Sequence, residues 1–353
     1  MFQPLRIPNS YSYSSLNEQA PLIANSHLLV MEPGNILVDP LPFDEHTHEQ
    51  IDGLGGVSRI VLLSTDRAPE AEALAMRYAA AVVRRPRHRE EVLAGAIAIA
   101  LADQRTEHEF ALSIPAQRAV VVGDALLGSP GGALSMWSGN QYRNIRRAAL
   151  GLRRILRENP QVLLVARGQS IFADAYDVLY RLLLATAGAE VHRINLDDLH
   201  FRDERDERVK QPPQYHCRDA EVGFVIGART LGYRVSTLDP GQIFCPLHGH
   251  AREEEMFFVL DGAPSVRMLS GTIRCRKGDF IALPAGETGT HQLLNESDAP
   301  ATILLLGRTE EVEACYYPDS DKLLVDTSRP FANGRDSIMV RGSPELDYFD
   351  GES

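Results

Sequence analysis

The chain has no apolar run near the ~20 residues needed to cross a bilayer. Its longest, such as QVLLVA and ATILLL, have the length of buried strands. The opening MFQPLRIPNSYSYSS lacks a basic region followed by an apolar core, so no secretion signal is expected. Cysteine is scarce. Cys217, Cys245, Cys275 and Cys315 have no paired short spacing, which argues against a disulfide framework and for reduced, buried thiols in a cytoplasmic protein. Positive charge is also short: 36 Lys and Arg against 48 Asp and Glu give a net charge of −12. A phosphate-backbone binder needs clustered cations, so nucleic acid is not an expected partner, and nor is a membrane. There is no internal repeat and no low-complexity tract.

What is present is a globular composition, 44% hydrophobic and 24% charged, over 353 residues. At about 150 residues per domain, that length suggests two domains. Residues 1–195 alternate strand and helix patterns. HLLVMEPGNILVDP reads as a hairpin around Pro33-Gly34-Asn35, and RIVLLST, RAVVVGDALLG and QVLLVARG as buried strands. EAEALAMRYAAAVV, IRRAALGLRRILRENP and FADAYDVLYRLLLATAG read as helices. Interleaving of this kind argues for an α/β layered domain. In the second helix Ile145, Ala149, Leu152 and Leu156 share one face. The arginines at 143, 146, 147, 153, 154 and 157, like RRPRHREE at 84–91, are read as solvated.

Residues 196–214, LDDLHFRDERDERVKQPPQ, hold few buried-type residues and read as a charged linker. From 215 to 353 the pattern is short strands with Ser-Gly, Lys-Gly-Asp and Pro-Ala-Gly turns, as in a β-barrel or jelly roll. In SVRMLSGTIRCR, Val266, Met268, Ile273 and Cys275 alternate with Arg267, Arg274 and Arg276, the mark of a hairpin.

Within PLHGHAREEEMFFVLDG, His248 and His250 stand two apart, so on an extended segment both face the same way. Glu255 opens the next strand, and PAGETGTHQLLN puts His291 on another. Three imidazoles and a carboxylate suit one divalent ion such as Fe, Mn, Ni, Co or Zn. Glu253 and Glu254 read as surface charges, and Cys245 as a buried thiol rather than a redox neighbour.

Gly241, His248, His250, Glu255 and Gly262, followed by Gly278, Pro284, Gly286, His291 and Asn295, resemble the two motifs of the cupin family. Four residues separate Gly286 from His291 where that family usually has two. The resemblance implies a small all-β barrel holding a metal on His248, His250, Glu255 and His291, with a small molecule as ligand or substrate. It also implies a segment that follows the barrel: YYPDSDKLLVD at 316–326, and ELDYFDGE at 345–352, whose Tyr348 and Phe349 pack on the barrel or a partner. Pairing into a homodimer is expected by analogy.

The order GNILVDPLP, IVLLSTDRAPEAEALA, FALSIPAQRAVVVGDALLG, LLVARGQS resembles the metallo-β-lactamase family, an αββα sandwich. That family's His-x-His-x-Asp-His cluster is replaced here by residues 64–69, Ser-Thr-Asp-Arg-Ala-Pro. His108 lies loosely near one histidine position, Asp124 matches the metal-bridging aspartate, and Arg167 stands where a histidine is usual. A zinc site needs three or four ligands. The expectation is therefore a catalytically degenerate domain in which Arg67 or Arg167 pairs with Asp124, set against a hydrolase with unusual ligands.

The function expected is a metalloenzyme of oxygenase or isomerase type acting on a small polar molecule in the cupin. Tyr233 and Glu287 are the candidate bases, and Asn295 orients a ligand or serves the fold. The alternative is a ligand- or metal-sensing cupin on an interaction scaffold.

Overall fold

The computed structural model describes residues 1–16, 22–64, 68–93, 95–138, 140–203, 211–310, 312–327 and 337–342. Arg67, most of the acidic and basic centre of 196–214, and Tyr348 and Phe349 lie outside them. The chain divides into two compact units, Met1–Arg193 and Ile194–Ser353. No described helix is long and apolar enough to cross a membrane.

The first unit holds two mixed sheets. One has six strands in the order Gln3–Pro4, Ser10–Ser15, Ala24–Leu29, Ile36–Val38, Arg59–Val61, Ala81–Val83. Its first four pair antiparallel and its last three parallel. The other runs Val162–Val165, Ala119–Val122, Phe110–Ile114, Ala96–Ala100, Glu91–Leu93. Side-chain alternation assigns the faces. Leu29, Ile36, Val38 and Val61 of the first sheet share a core with Ala98, Leu112, Val121 and Leu164 of the second. Their neighbours Leu28, Leu37 and Ile60 turn the other way, onto Ile51 of helix Glu45–Gly53 and Ala71 and Leu74 of helix Ala68–Tyr78. Helix Ala175–Ala187 packs on strand Val162–Val165 and on helix Ile145–Gly151.

Two expected helices are shorter than the sequence suggests. EAEALAMRYAAAVV is helical only to Tyr78; Ala79 takes φ +51° and Ala81–Val83 becomes a strand beside Arg59–Val61. The β-branched pair Val82-Val83 gains more from a ladder than from another helical turn. IRRAALGLRRILRENP breaks into Ile145–Gly151 and Arg153–Leu156. Gly151 lies so close to the Ala102 carbonyl that a Cβ there would sit 2.1 Å from its oxygen. Ala149, Leu152 and Leu156 are buried as expected, and Ile145 is exposed.

The second unit is built on antiparallel pairs. Its six-stranded sheet runs Arg202–Asp203, Arg218–Glu221, Leu231–Leu238, Ala301–Arg308, Glu255–Asp261, Phe280–Leu283. Thus part of the stretch expected as linker, at 202–203, is paired into this sheet. A three-stranded sheet has Ser265–Met268 between Gly271–Arg274 and His291–Leu294. A four-stranded sheet runs Gly249–His250, Val312–Tyr317, Lys322–Thr327, Ser337–Arg341. Phe257, Val259, Ile303 and Leu305 of the first share a core with Val266 and Leu293 of the second.

The expected barrel is not closed by hydrogen bonds: three open sheets stand in its place. Between the three-stranded sheet and its neighbours the ladder shrinks to single bridges, Ile243↔Leu294 and His248↔His291. Pro240 and Pro246 in the connecting segment have no N–H to extend it. The expected hairpin forms at 265–274, with Val266 opposite Ile273, although Ile273 is exposed.

Candidate metal centre

The four expected ligands come from three sheets. His248 and His291 face each other across a bridge closed by two backbone hydrogen bonds, His248 N–H to His291 O at 3.0 Å and His291 N–H to His248 O at 2.8 Å. His250, two residues on, pairs with Cys315. Glu255 begins the strand that lies between Phe280–Leu283 and Ala301–Arg308. Glu255 Oε2 is 3.1 Å from His291 Nε2 and 3.5 Å from His250 Nε2. Ligand atoms of His248, His250 and Glu255 all lie within 4.8 Å of one another. His291 stands beside this group, its ring centroid 4.8 Å from that of His248 and 6.1 Å from that of His250.

Each imidazole is oriented from behind. His248 Nδ1–H donates to the Pro246 carbonyl at 2.9 Å, and His291 Nδ1–H to the Gly289 carbonyl at 2.8 Å. His250 Nδ1 is 3.4 Å from Cys315 Sγ. With Nδ1 engaged, Nε2 is the nitrogen left for the centre, as outer-shell partners arrange in metal sites. His250 Nε2 is buried and makes no hydrogen bond.

The charges are strongly coupled. Burial, with the neighbouring His291 and His250, lowers the His248 pKa to about 4. Burial also pulls on His250, but Cys315 and Glu255 outweigh it and raise its pKa to about 10. Burial opposes the Glu255 charge too, yet the neighbouring imidazoles of His250 and His291 hold its carboxyl below the usual range.

Three residues near the centre were not anticipated from sequence. Glu313, Cys315 and Tyr317 share a face of strand Val312–Tyr317 by period-two alternation, the one sequence signal that marks them. Glu313 accepts from the backbone N–H of Ala251 at 2.6 Å, Arg252 at 3.2 Å and Glu253 at 3.2 Å, pinning the loop between His250 and Glu255. Tyr317 stacks on His248, centroids 5.7 Å apart. Glu253 departs from its expected surface role. It is largely buried, with Oε2 3.7 Å from His250 Nδ1 and Oε1 accepting from Glu310 N–H at 2.9 Å. Glu254 is exposed.

The other candidates divide. Cys245 is half-buried, 3.6 Å from His248 Nδ1, and desolvation pushes its thiol pKa up, which opposes a reactive thiolate. Asn295 donates to the Leu238 and Ala299 carbonyls and accepts from Ser297, so the fold uses its amide. Tyr233 shares a cavity of about 200 Å3 with Glu253 and Glu255. Glu287 is exposed, in the turn Glu287–Gly289.

In the first unit Asp124 is buried and accepts from Arg167 Nε at 2.7 Å and from Ser64 Oγ at 3.5 Å. Its backbone carbonyl accepts from Trp137 Nε1 at 2.7 Å. His108 is exposed and 4.0 Å from Glu107. Beside it in sequence, Glu109 is 2% exposed and accepts from Thr106, leaving Oε2 without a hydrogen bond.

Comparison with known proteins agrees with this division. The metallo-beta-lactamase superfamily matches residues 2–186, and the cupin domain matches 234–307. Germin-like protein subfamily 2 member 1 of Arabidopsis thaliana is 35% identical over 92 residues, 24% of this chain. The chain spans 41% of that relative's length. Among solved structures, a cupin-superfamily sugar phosphate isomerase from Silicibacter pomeroyi is 26% identical, covering 44% of this chain and 96% of its own, with a TM-score of 0.37. An oxalate decarboxylase from Lactobacillus farciminis is 19% identical, covering 33% and 32%, with a TM-score of 0.26. The chain therefore belongs to the metallo-beta-lactamase superfamily through residues 2–186 and carries a cupin domain at residues 234–307.

Proposed function

We propose that the second unit is a metalloenzyme for a small polar molecule, with one divalent ion (Fe, Mn, Ni, Co or Zn) held by His248, His250, Glu255 and His291. The observation that carries this is the orientation of the imidazoles: each engages protein through Nδ1, and the buried Nε2 of His250 has no hydrogen bond. Leaving such a group unpartnered costs about 1–3 kcal/mol, which coordination would recover. When bound, the ion supplies Lewis acidity and open positions for a substrate oxygen or for dioxygen. Glu255 balances its charge. Glu253 lies at the edge of the centre, and its carboxyl pKa is raised by burial, which suits it to hold or accept a proton there. Tyr233 is the second group placed to do so.

In the same reading the first unit is an αββα sandwich that holds no metal, because Arg167 occupies the carboxylate of Asp124 with a fixed cation. A homodimer paired through strand edges also fits. Strand Ser337–Arg341, with Met339 and Val340 exposed, is such an edge.

The test is titration of the metal-free full-length protein with Co(II), followed by visible absorption. The expected result is one equivalent bound, abolished in His248→Ala/His250→Ala and retained in Asp124→Ala. Saturation that survives the double histidine variant would refute the assignment.

A further inference from the structure

In the first unit three connections meet at one end of the five-stranded sheet. They are the segment 101–109 that leads into strand Phe110–Ile114, the segment after strand Ala119–Val122, and the turn after strand Val162–Val165. Trp137 stands among them. Its Nε1 donates to the Asp124 carbonyl at 2.7 Å, and two guanidinium groups lie over its ring, with Arg105 Cζ 4.4 Å and Arg167 Cζ 5.8 Å from the centroid. The two cations differ. Arg167 is offset by Asp124 at 2.7 Å. Arg105 has no ion-pair partner among the described residues. Its Nε donates to Gln141 Oε1 at 3.2 Å, and its Nη1 is buried without a hydrogen bond.

Glu109 brings the complementary requirement. It is 2% exposed, and its Oε1 accepts from the Thr106 N–H at 3.2 Å and the Thr106 hydroxyl at 2.8 Å, whereas Oε2 has no hydrogen bond. Tyr142 Oη, beside the Trp137 backbone, is buried and has no hydrogen bond of normal geometry. Glu109 and Tyr142 both lie close enough to Arg105 and Asp124 to feel their charges. Bare polar groups gathered in one buried place are costly, and Arg105 and Glu109 do not relieve each other by pairing. A ligand that satisfies all three groups must offer an acceptor to Arg105 and Tyr142 and a partner to Glu109.

We propose that this end of the first unit binds a small α-hydroxycarboxylate, with its carboxylate on Arg105 and the Tyr142 hydroxyl and its own hydroxyl on Glu109 Oε2. The site is separate from the metal reading of the second unit and does not depend on it. The anion follows from Arg105, the guanidinium here without a counter-charge, whose planar fork matches a carboxylate. The hydroxyl follows from Glu109. Burial raises the pKa of that carboxyl and so favours its neutral form. A hydroxyl can donate to the ionised carboxyl and accept from the protonated one, whereas an ammonium can only donate.

Trp137 is the single tryptophan of the chain, so its fluorescence reports on this place. The full-length protein is titrated with glycolate, acetate and ethylene glycol at constant ionic strength in a carboxylate-free buffer. Glycolate is expected to give a saturable change and to bind about threefold or more tightly than acetate, the worth of one added hydrogen bond, and the diol to give none. Arg105→Gln should weaken glycolate about tenfold or more by removing a charge-assisted pair, and Arg105→Lys should fall between it and wild type. Glu109→Leu should erase the preference for glycolate over acetate, and Glu109→Gln should retain it. The variant His248→Ala/His250→Ala should respond as wild type does, which separates this site from the metal centre however that reading falls. Equal affinity for glycolate and acetate, a saturable response to the diol, or unchanged glycolate binding in Arg105→Gln would overturn the inference. So would a response lost on adding a chelator, which would put a metal ion here. Absence of a saturable response to every probe would overturn it too, leaving these groups to ordered water.

Discussion

His250 shows how one side chain can join two environments. Its Nε2 faces Glu255 and the other imidazoles, while its Nδ1 faces Cys315, Glu253 and Glu313. The first side was legible in sequence, because His-x-His on an extended segment puts both rings on one face and Glu255 follows at the start of a strand. The second side was not, because Glu313 and Cys315 lie more than sixty residues downstream and reach His250 only through strand pairing. Glu109 was passed over for a related reason: the sequence drew attention to His108, whereas the fold exposes His108 and buries its neighbour. Burial raises the Glu109 pKa above its ordinary value of 4.5. The folded state then binds more protons than the unfolded one at pH above that value. The contribution to stability is complete below the unfolded pKa and is lost as pH rises through the folded pKa. Glu109→Gln, which keeps an oxygen for Thr106, should therefore gain in melting temperature relative to wild type at pH 8 more than at pH 4. A difference that does not change with pH would contradict this account of Glu109.

At the scale of elements, the alternation of strands and helices was readable because apolar periodicity is local. Their ends were less so, because they depend on partners elsewhere. The helix after Asn144 breaks where Gly151 meets the Ala102 carbonyl, a contact between distant segments. Gly151→Ala should cost about 1–3 kcal/mol by overpacking, read as a lower denaturant midpoint with an unchanged slope. The loop 251–253 between His250 and Glu255 poses the same problem, since what orders it is the carboxylate of Glu313. Glu313→Gln loses part of that anchorage but no proposed ligand. It should weaken metal binding about 10–100-fold, the usual effect of removing an outer-shell partner, without changing stoichiometry. Metal affinity within twofold of wild type, in a competition assay with a chelator, would show that the loop holds itself.

For the whole molecule, both halves were recognisable from residue order, but for different reasons. The cupin half has His248, His250, Glu255 and His291 in the order of the family's motifs, with a longer turn before His291. In the metallo-beta-lactamase half the resemblance rested on strand and helix order. The closed barrel expected of the second unit was an inference from strand count. Whether ladders close depends on the proline-bearing segments around 240 and 246, and these leave single bridges. In the first unit the Asp124–Arg167 pair is structural in this account. Asp124→Ala should cost about 3 kcal/mol by leaving a largely buried guanidinium unpaired, with no change in bound metal. The central claim, that one metal ion belongs to the second unit, is tested most directly by elemental analysis of the purified full-length protein. Wild type, His248→Ala/His250→Ala and Asp124→Ala would be measured side by side. The account predicts about one equivalent of a divalent transition metal in the wild type and in Asp124→Ala, and none in the histidine variant. Metal that persists in the histidine variant, or disappears only with Asp124, would contradict it.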